Sequence, residues 1–445
     1  MPAIAPAPAA RPPATVTTAA GHEPRIATLA NGVRLACVHV PQAETASVSV
    51  FVRAGSGHES KLTSGLSHVV EHMVFKGTAT RSAERINLDA ERLGAEVNAH
   101  TDKDHTAFHM RGLARDVSGF IAMLGDIVLA PSFPEDEFER ERQVLLHEFT
   151  EDEDDPVSTA FKLFDHASWG AHPLAQPVIG TRRNIERFSR ADLVNHVQRQ
   201  YGGPNIVVAV AGPADVDTLT RDVEAAFGAA PALAPNTITT PTFGGGIRSK
   251  AMPGSSQSHL VMGFAVPGQQ AGDATAAVAA ALFGEGMSSP LLGELREKRG
   301  LVYYAAASAD VLDAAGQFVV EASTAPAQLD ECLTELARQL ALQAERITPV
   351  DLERAHNQLL VRRLRALEEP ARRLESAALD LFIHGRARSL AEWRDTIAAV
   401  DGERVRALFQ RMLAAGPALA VSGKVPRGLR ERVRTLLAAQ GLRCD

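Results

Sequence analysis

Residues 65–78 read GLSHVVEHMVFKGT and carry His68, Glu71 and His72 within five positions. Two imidazoles at i and i+4 on a helix can reach one metal ion, a pairing that suits zinc. A carboxylate beside them can take a proton from water. The order is HxxEH, the inversion of HExxH and one of the zinc-hydrolase motifs. A structural zinc site would need two further protein ligands, whereas a catalytic one needs a third and leaves a position open for water. The alternative is a helix whose polar residues only face solvent.

The spacing predicts that helix. Leu66, Val69, Val70, Met73 and Val74 fall at i, i+3, i+4, i+7 and i+8 and make one apolar stripe. Gly77 is a C-terminal stop. At roughly 100° per residue, His72 lies about 40° to one side of His68, Glu71 about 60° to the other, and the stripe near 170°. The trio therefore faces away from the core. A third ligand is sought in SFPEDEFERERQVLLHEFTEDEDDP, read as a helix that opens with Ser132 and Glu135 in capping-box spacing and runs to a charged loop. Glu141 and Glu148 are seven apart and share a face, and Glu148 follows His72 by 148 − 72 = 76 residues.

The elements around these residues repeat. SFPEDEFERERQVLL (132–146) and RITPVDLERAHNQLL (346–360) match at an offset of 214 residues. Strand-then-helix patterns at 108–124 and 318–336, and alternating strands at 46–55 and 259–268, echo each other in the same order. The expected fold is α+β in two homologous halves, each an antiparallel sheet packed with helices. The expected division is a flexible Pro/Ala-rich tail (1–24), an N-terminal unit (25–231), a Gly/Pro-rich linker (232–257) and a C-terminal unit (258–445). The offset maps Glu141 to Ala355 and Glu148 to Arg362, and no HxxEH occurs in the second half. The second unit is thus expected to lack a metal site.

Composition removes other classes. A net charge of −7 over 445 residues gives no reason to expect nucleic acid. Three widely spaced cysteines without CxxC argue against a disulfide framework or a thiolate metal site. The glycines at 244–246 and 284–286 fit no phosphate loop. No secretory h-region and no run of 18 apolar residues is visible, so a cytoplasmic location without membrane contact is expected.

The chain resembles the pitrilysin/insulinase family of zinc metallopeptidases, in particular its processing-peptidase-like group, over almost everything after the first 25 residues. The likeness rests on HxxEH with Glu148, and on LANGVRLACVHV, GAEVNAHTDKDHTAFH, HPLAQPVIGTRRNI and LREKRGLVYY. The resemblance implies a zinc endopeptidase with one Zn2+ per chain, held by His68, His72 and Glu148, with Glu71 as general base. Glu141 would orient a ligand. Asn98 and Ala99 would lie on the strand that pairs with substrate, and Arg296 and Tyr303 would clamp it. Pro290, in GEGMSSP, stands where the family often has arginine. The resemblance also implies unstructured peptides or targeting segments as substrates and a chamber closed by two chains. A homodimer is expected first. The alternative is a heterodimer with an inactive paralogue, as in the processing of a cofactor precursor peptide.

The remaining polar residues are expected to be unremarkable in role. His100, His105 and His109 read as loop or surface residues, His147 as solvated, and His166 and His172 as packing residues. TEDEDDP (150–156) reads as a solvated charge run without the spaced ligands of a calcium loop.

Overall fold

The computed structural model describes residues 23–442. Most of the expected N-terminal tail, and Cys444, lie outside the described residues. The first half builds a six-stranded sheet from β1 (Arg25–Thr28), β2 (Arg34–His39), β3 (Thr45–Val52), β4 (Glu96–Thr101), β5 (Thr106–Leu113) and β6 (Ile206–Gly212), ordered β1-β2-β6-β3-β5-β4. The second builds a five-stranded sheet from β7 (Gly246–Ala251), β8 (Ser258–Val266), β9 (Val302–Val311), β10 (Gly316–Thr324) and β11 (Ala418–Gly423), ordered β7-β11-β8-β10-β9. Leaving out β1, the two orders superimpose strand for strand. Each sheet is antiparallel except for one pair, β2 with β6 and β7 with β11. Strand β7 falls inside the stretch read from sequence as a linker.

Why the strands look as they do follows from what covers them. In β3, Val48, Val50 and Val52 point to a core shared with the helix Val117–Leu129, while Phe51 points to the other face. Both faces are apolar, so β6 reads as the unbroken run IVVAVAG, buried at every residue. The helix that covers the second face comes from the other half. Leu374, Ala378 and Leu381 of the helix Pro370–His384 pack on Phe51, Val207 and Ala209. Arg34 and Arg53 donate to the carbonyls of Leu381 (2.5 Å) and Phe382 (3.0 Å). The exchange is mutual. Phe164 of the helix Pro156–Trp169 packs on Val261, Val319 and Ala420 of the second sheet. It lies so close that a Cβ on Gly263 would sit 2.5 Å from the Phe164 ring. The two helices are related by the 214-residue offset, so each half wears its partner's helix.

Among the described residues no helix is long and apolar enough to cross a membrane.

Candidate functional site

The motif helix spans Leu66–Met73 and tightens into a 3-10 turn, Val74–Lys76, before Gly77 at φ 143°. Its stripe is buried as the spacing requires. Gly65 precedes it at φ +95°, where a side chain would be strained and a Cβ would meet Gly180 Cα at 2.8 Å. With no side chain available there to cap, Glu59 does so from outside. Its carboxylate accepts from Gly65 N (2.8 Å) and Ser67 N (2.6 Å). Burial lifts its pKa to about 7 against those two hydrogen bonds.

The polar trio does not face open solvent. His68 is 9% exposed, and Glu71 and His72 are half-buried in a cleft also lined by Ala99, Thr101 and Glu148. Beside it runs the helix Glu135–Asp154. His68 Nε2 lies 3.6 Å from Glu148 Oε1, and His72 Nε2 lies 3.6 Å from Glu148 Oε2. The three side chains offer one ligand atom each, all within 4.8 Å of one another. Bonds of about 2.0–2.2 Å at tetrahedral angles place donors roughly 3.3–3.6 Å apart, so the group fits a tetrahedral divalent ion.

The surroundings prepare those donors. His72 Nδ1 lies 2.9 Å from Glu141, whose other oxygen takes Lys76 Nζ at 2.6 Å. With its proton on Nδ1, His72 presents a lone pair on Nε2. Burial opposes charge on His72, but Glu141 and the neighbouring carboxylates outweigh it and raise its pKa. Burial pushes His68 down to about 3, helped by His72, so this imidazole is neutral. His68 Nδ1 is buried with no partner among the described residues, which leaves Nε2 as its outlet. Burial raises Glu71, while a 2.9 Å hydrogen bond from Thr101 Oγ1 holds it back. Thr101 carried no sequence signal, because only the register of β4 brings it to Glu71. Glu59 was equally silent.

The other expected residues separate. Asn98 and Ala99 lie on β4, the edge strand of the first sheet. Ala99 lines the cleft, and Asn98 is exposed with its Oδ1 accepting from Ala99 N at 2.8 Å. Arg296 sits on a π-helical turn, Gly293–Lys298, with its guanidinium 5.6 Å from the centroid of the Tyr303 ring. Tyr303 is 83% exposed on β9, the edge strand of the second sheet. The residues lining the cleft all belong to the first half, and Arg296 and Tyr303 are not among them.

Three expectations are corrected. The helix after Phe133 opens at Glu135 with Pro134 as its cap, and Ser132 makes no capping box. Proline fixes that turn in place of the serine. The charge run does not form a loop: 150–154 continue the helix, Lys162 holds Asp152 and Glu153, and Asp155 caps the next helix. His105 is 2% exposed, and His100 and His109 are half-buried, because the exchanged helix Pro370–His384 covers that face of the sheet.

Two copies of one α+β unit, of which the first alone carries HxxEH with Glu148 brought up to its histidines, define a two-domain chain with one candidate hydrolytic centre. The comparisons agree with that class. Residues 34–182 match the insulinase domain of peptidase family M16, and residues 187–359 match the M16 inactive domain. An uncharacterized zinc protease of Mycobacterium leprae is 30% identical over 91% of this chain and 94% of its own. The uncharacterized zinc protease YmxG of Bacillus subtilis is 29% identical over 90% of this chain and 98% of its own. A protease from Helicobacter pylori shares the fold with a TM-score of 0.82, at 21% identity over 90% of this chain and 99% of that one. The chain belongs to the insulinase family of peptidases, M16.

Proposed function

We propose that this protein is a zinc-dependent endopeptidase whose centre is His68, His72, Glu148 and Glu71. The observation that carries the reading is the pair of 3.6 Å separations from Glu148 to the two Nε2 atoms, with Glu71 between the histidines in sequence. The relatives named zinc proteases support the choice of metal. One zinc per chain, held by those three ligands, would polarise the scissile carbonyl and acidify water. Glu71 accepts the water's proton and passes it to the leaving amine. Thr101 orients Glu71, and Glu141 fixes the His72 tautomer.

Substrate adds as a strand to the free edge of β4, beside Asn98 and Ala99, so it must be locally unfolded there. Arg296 and Tyr303 come from a second copy of the chain, closing a dimeric chamber around the peptide. The test is cleavage of a long, unfolded, fluorogenic peptide by the purified chain supplied with zinc. Glu71→Gln should keep its zinc and lose roughly two to four decades of rate. Equal cleavage by the variant would remove Glu71 from the chemistry.

A further inference from the structure

A second group of metal-ligating side chains lies outside that centre. His100, His105 and Glu375 bring one ligand atom each within 4.8 Å of one another. His105 and Glu375 lie outside the lining of the first cleft, and His100, on the rim of that cleft, points its ring to them across the β4–β5 hairpin. Side chains alternate along a strand, and Thr101 turns toward Glu71, so its neighbour His100 turns the other way. There it meets His105, buried immediately before β5, and Glu375 on the exchanged helix Pro370–His384. We propose that these three residues bind a second divalent ion of the zinc class, which pins the C-terminal half's helix to the edge strand of the N-terminal half.

The geometry points to a metal in three ways. First, the Nε2 atoms of His100 and His105 are 3.3 Å apart. Two metal–nitrogen bonds of about 2.0–2.1 Å at a tetrahedral angle give roughly 3.3–3.4 Å. Second, each ligand imidazole has its other nitrogen held from behind. His105 Nδ1 lies 2.7 Å from Asp104 Oδ1, and His100 Nδ1 lies 3.1 Å from His109 Nε2. His109 Nδ1 is in turn 2.8 Å from Ser49 Oγ. Metal-ligating histidines are ordinarily held in this way. Third, the protons balance. With Nδ1–H of His105 donated to Asp104, of His100 to His109, and of His109 to Ser49, all three rings are neutral. Both Nε2 lone pairs then face the same point. Two imidazoles and a carboxylate suit zinc, cobalt or nickel, and do not suit calcium or magnesium, which take oxygen ligands.

The competing account is a chain of imidazoles joined by a proton between the two Nε2 atoms. Metal stoichiometry separates the two. The full chain carrying Glu148→Gln, which removes a donor from the catalytic group, is titrated with Co2+ and followed by its visible absorption, with zinc content after dialysis measured in parallel. Adding Glu375→Gln should remove one equivalent of bound metal per chain, and Asp104→Asn should weaken that equivalent about ten- to a hundredfold. Glu375 is half-buried and the replacement is isosteric, so far-UV circular dichroism should be unchanged. Metal content and cobalt spectrum unaltered by Glu375→Gln overturn the proposal and leave the proton-joined chain. Neither arm uses peptidase activity, so the proposal stands or falls apart from the assignment of Glu71.

Discussion

At the scale of single residues, the site is tuned by neighbours that do no chemistry. Thr101 donates to Glu71 and offsets the rise in pKa that burial causes. Removing the donor with Thr101→Val raises the pKa of Glu71 further. As the proposed base, Glu71 must be ionised, so the acidic limb of the kcat/KM profile should move to higher pH, with the rate above that limb changed much less. An unmoved limb would mean that another group governs it. Glu59 gives a second prediction, read in stability. Its folded pKa of about 7 lies above the ordinary carboxylate value, so folding favours the protonated form. That stabilisation is complete below the unfolded pKa and is lost as pH rises to about 7. Glu59→Gln has no such loss. Relative to wild type, the variant should gain about 3 kcal/mol between pH 4.5 and 7.5, measured by urea unfolding of the metal-free chain. A stability difference constant across that range would show that the carboxylate is ionised when folded.

At the scale of elements, much of the layout was legible. The 3.6-residue stripe fixed the motif helix and its stop at Gly77, and the seven-residue spacing put Glu141 and Glu148 on one face. The strands 46–55 and 259–268 appear as β3 and β8 because alternation is a direct imprint of the pleat. What periodicity cannot carry is which distant element covers a face. The burial of His105, the contact between His100 and Glu375, and the exchange of Pro156–Trp169 for Pro370–His384 all depend on tertiary pairing. The exchange makes its own prediction. Leu381 is fully buried against strands of the other half. Leu381→Ala should cost about 2–5 kcal/mol. It should also lower hydrogen-exchange protection in β2, β3 and β6, although position 381 lies more than 150 residues away in sequence. Loss confined to 370–384 would mean that the helix is only an appendage.

At the scale of the whole molecule, the cleft and the Arg296–Tyr303 pair belong to different halves of the chain. The cleft is lined by the first half, while Tyr303 stands exposed on the far sheet's edge with the half-buried Arg296 beside its ring. If they serve the cleft of a partner copy, each active site takes its zinc group from one chain and its clamp from the other. Two inactive variants should then complement. Glu71→Gln spoils only the zinc half, and Arg296→Ala with Tyr303→Ala spoils only the clamp. Mixed in equal amounts and allowed to exchange, half of the dimers are hybrids. Each hybrid has one site with both parts intact and one with neither, so about a quarter of wild-type activity should return. A centre completed within its own chain predicts no recovery at any ratio, since no exchange can put an intact zinc group and an intact clamp on one polypeptide. Sedimentation of the same mixture guards the inference. Recovery without a dimeric species would place the complementation in transient encounters, and a stable dimer without recovery would assign the chamber's second wall to some other surface.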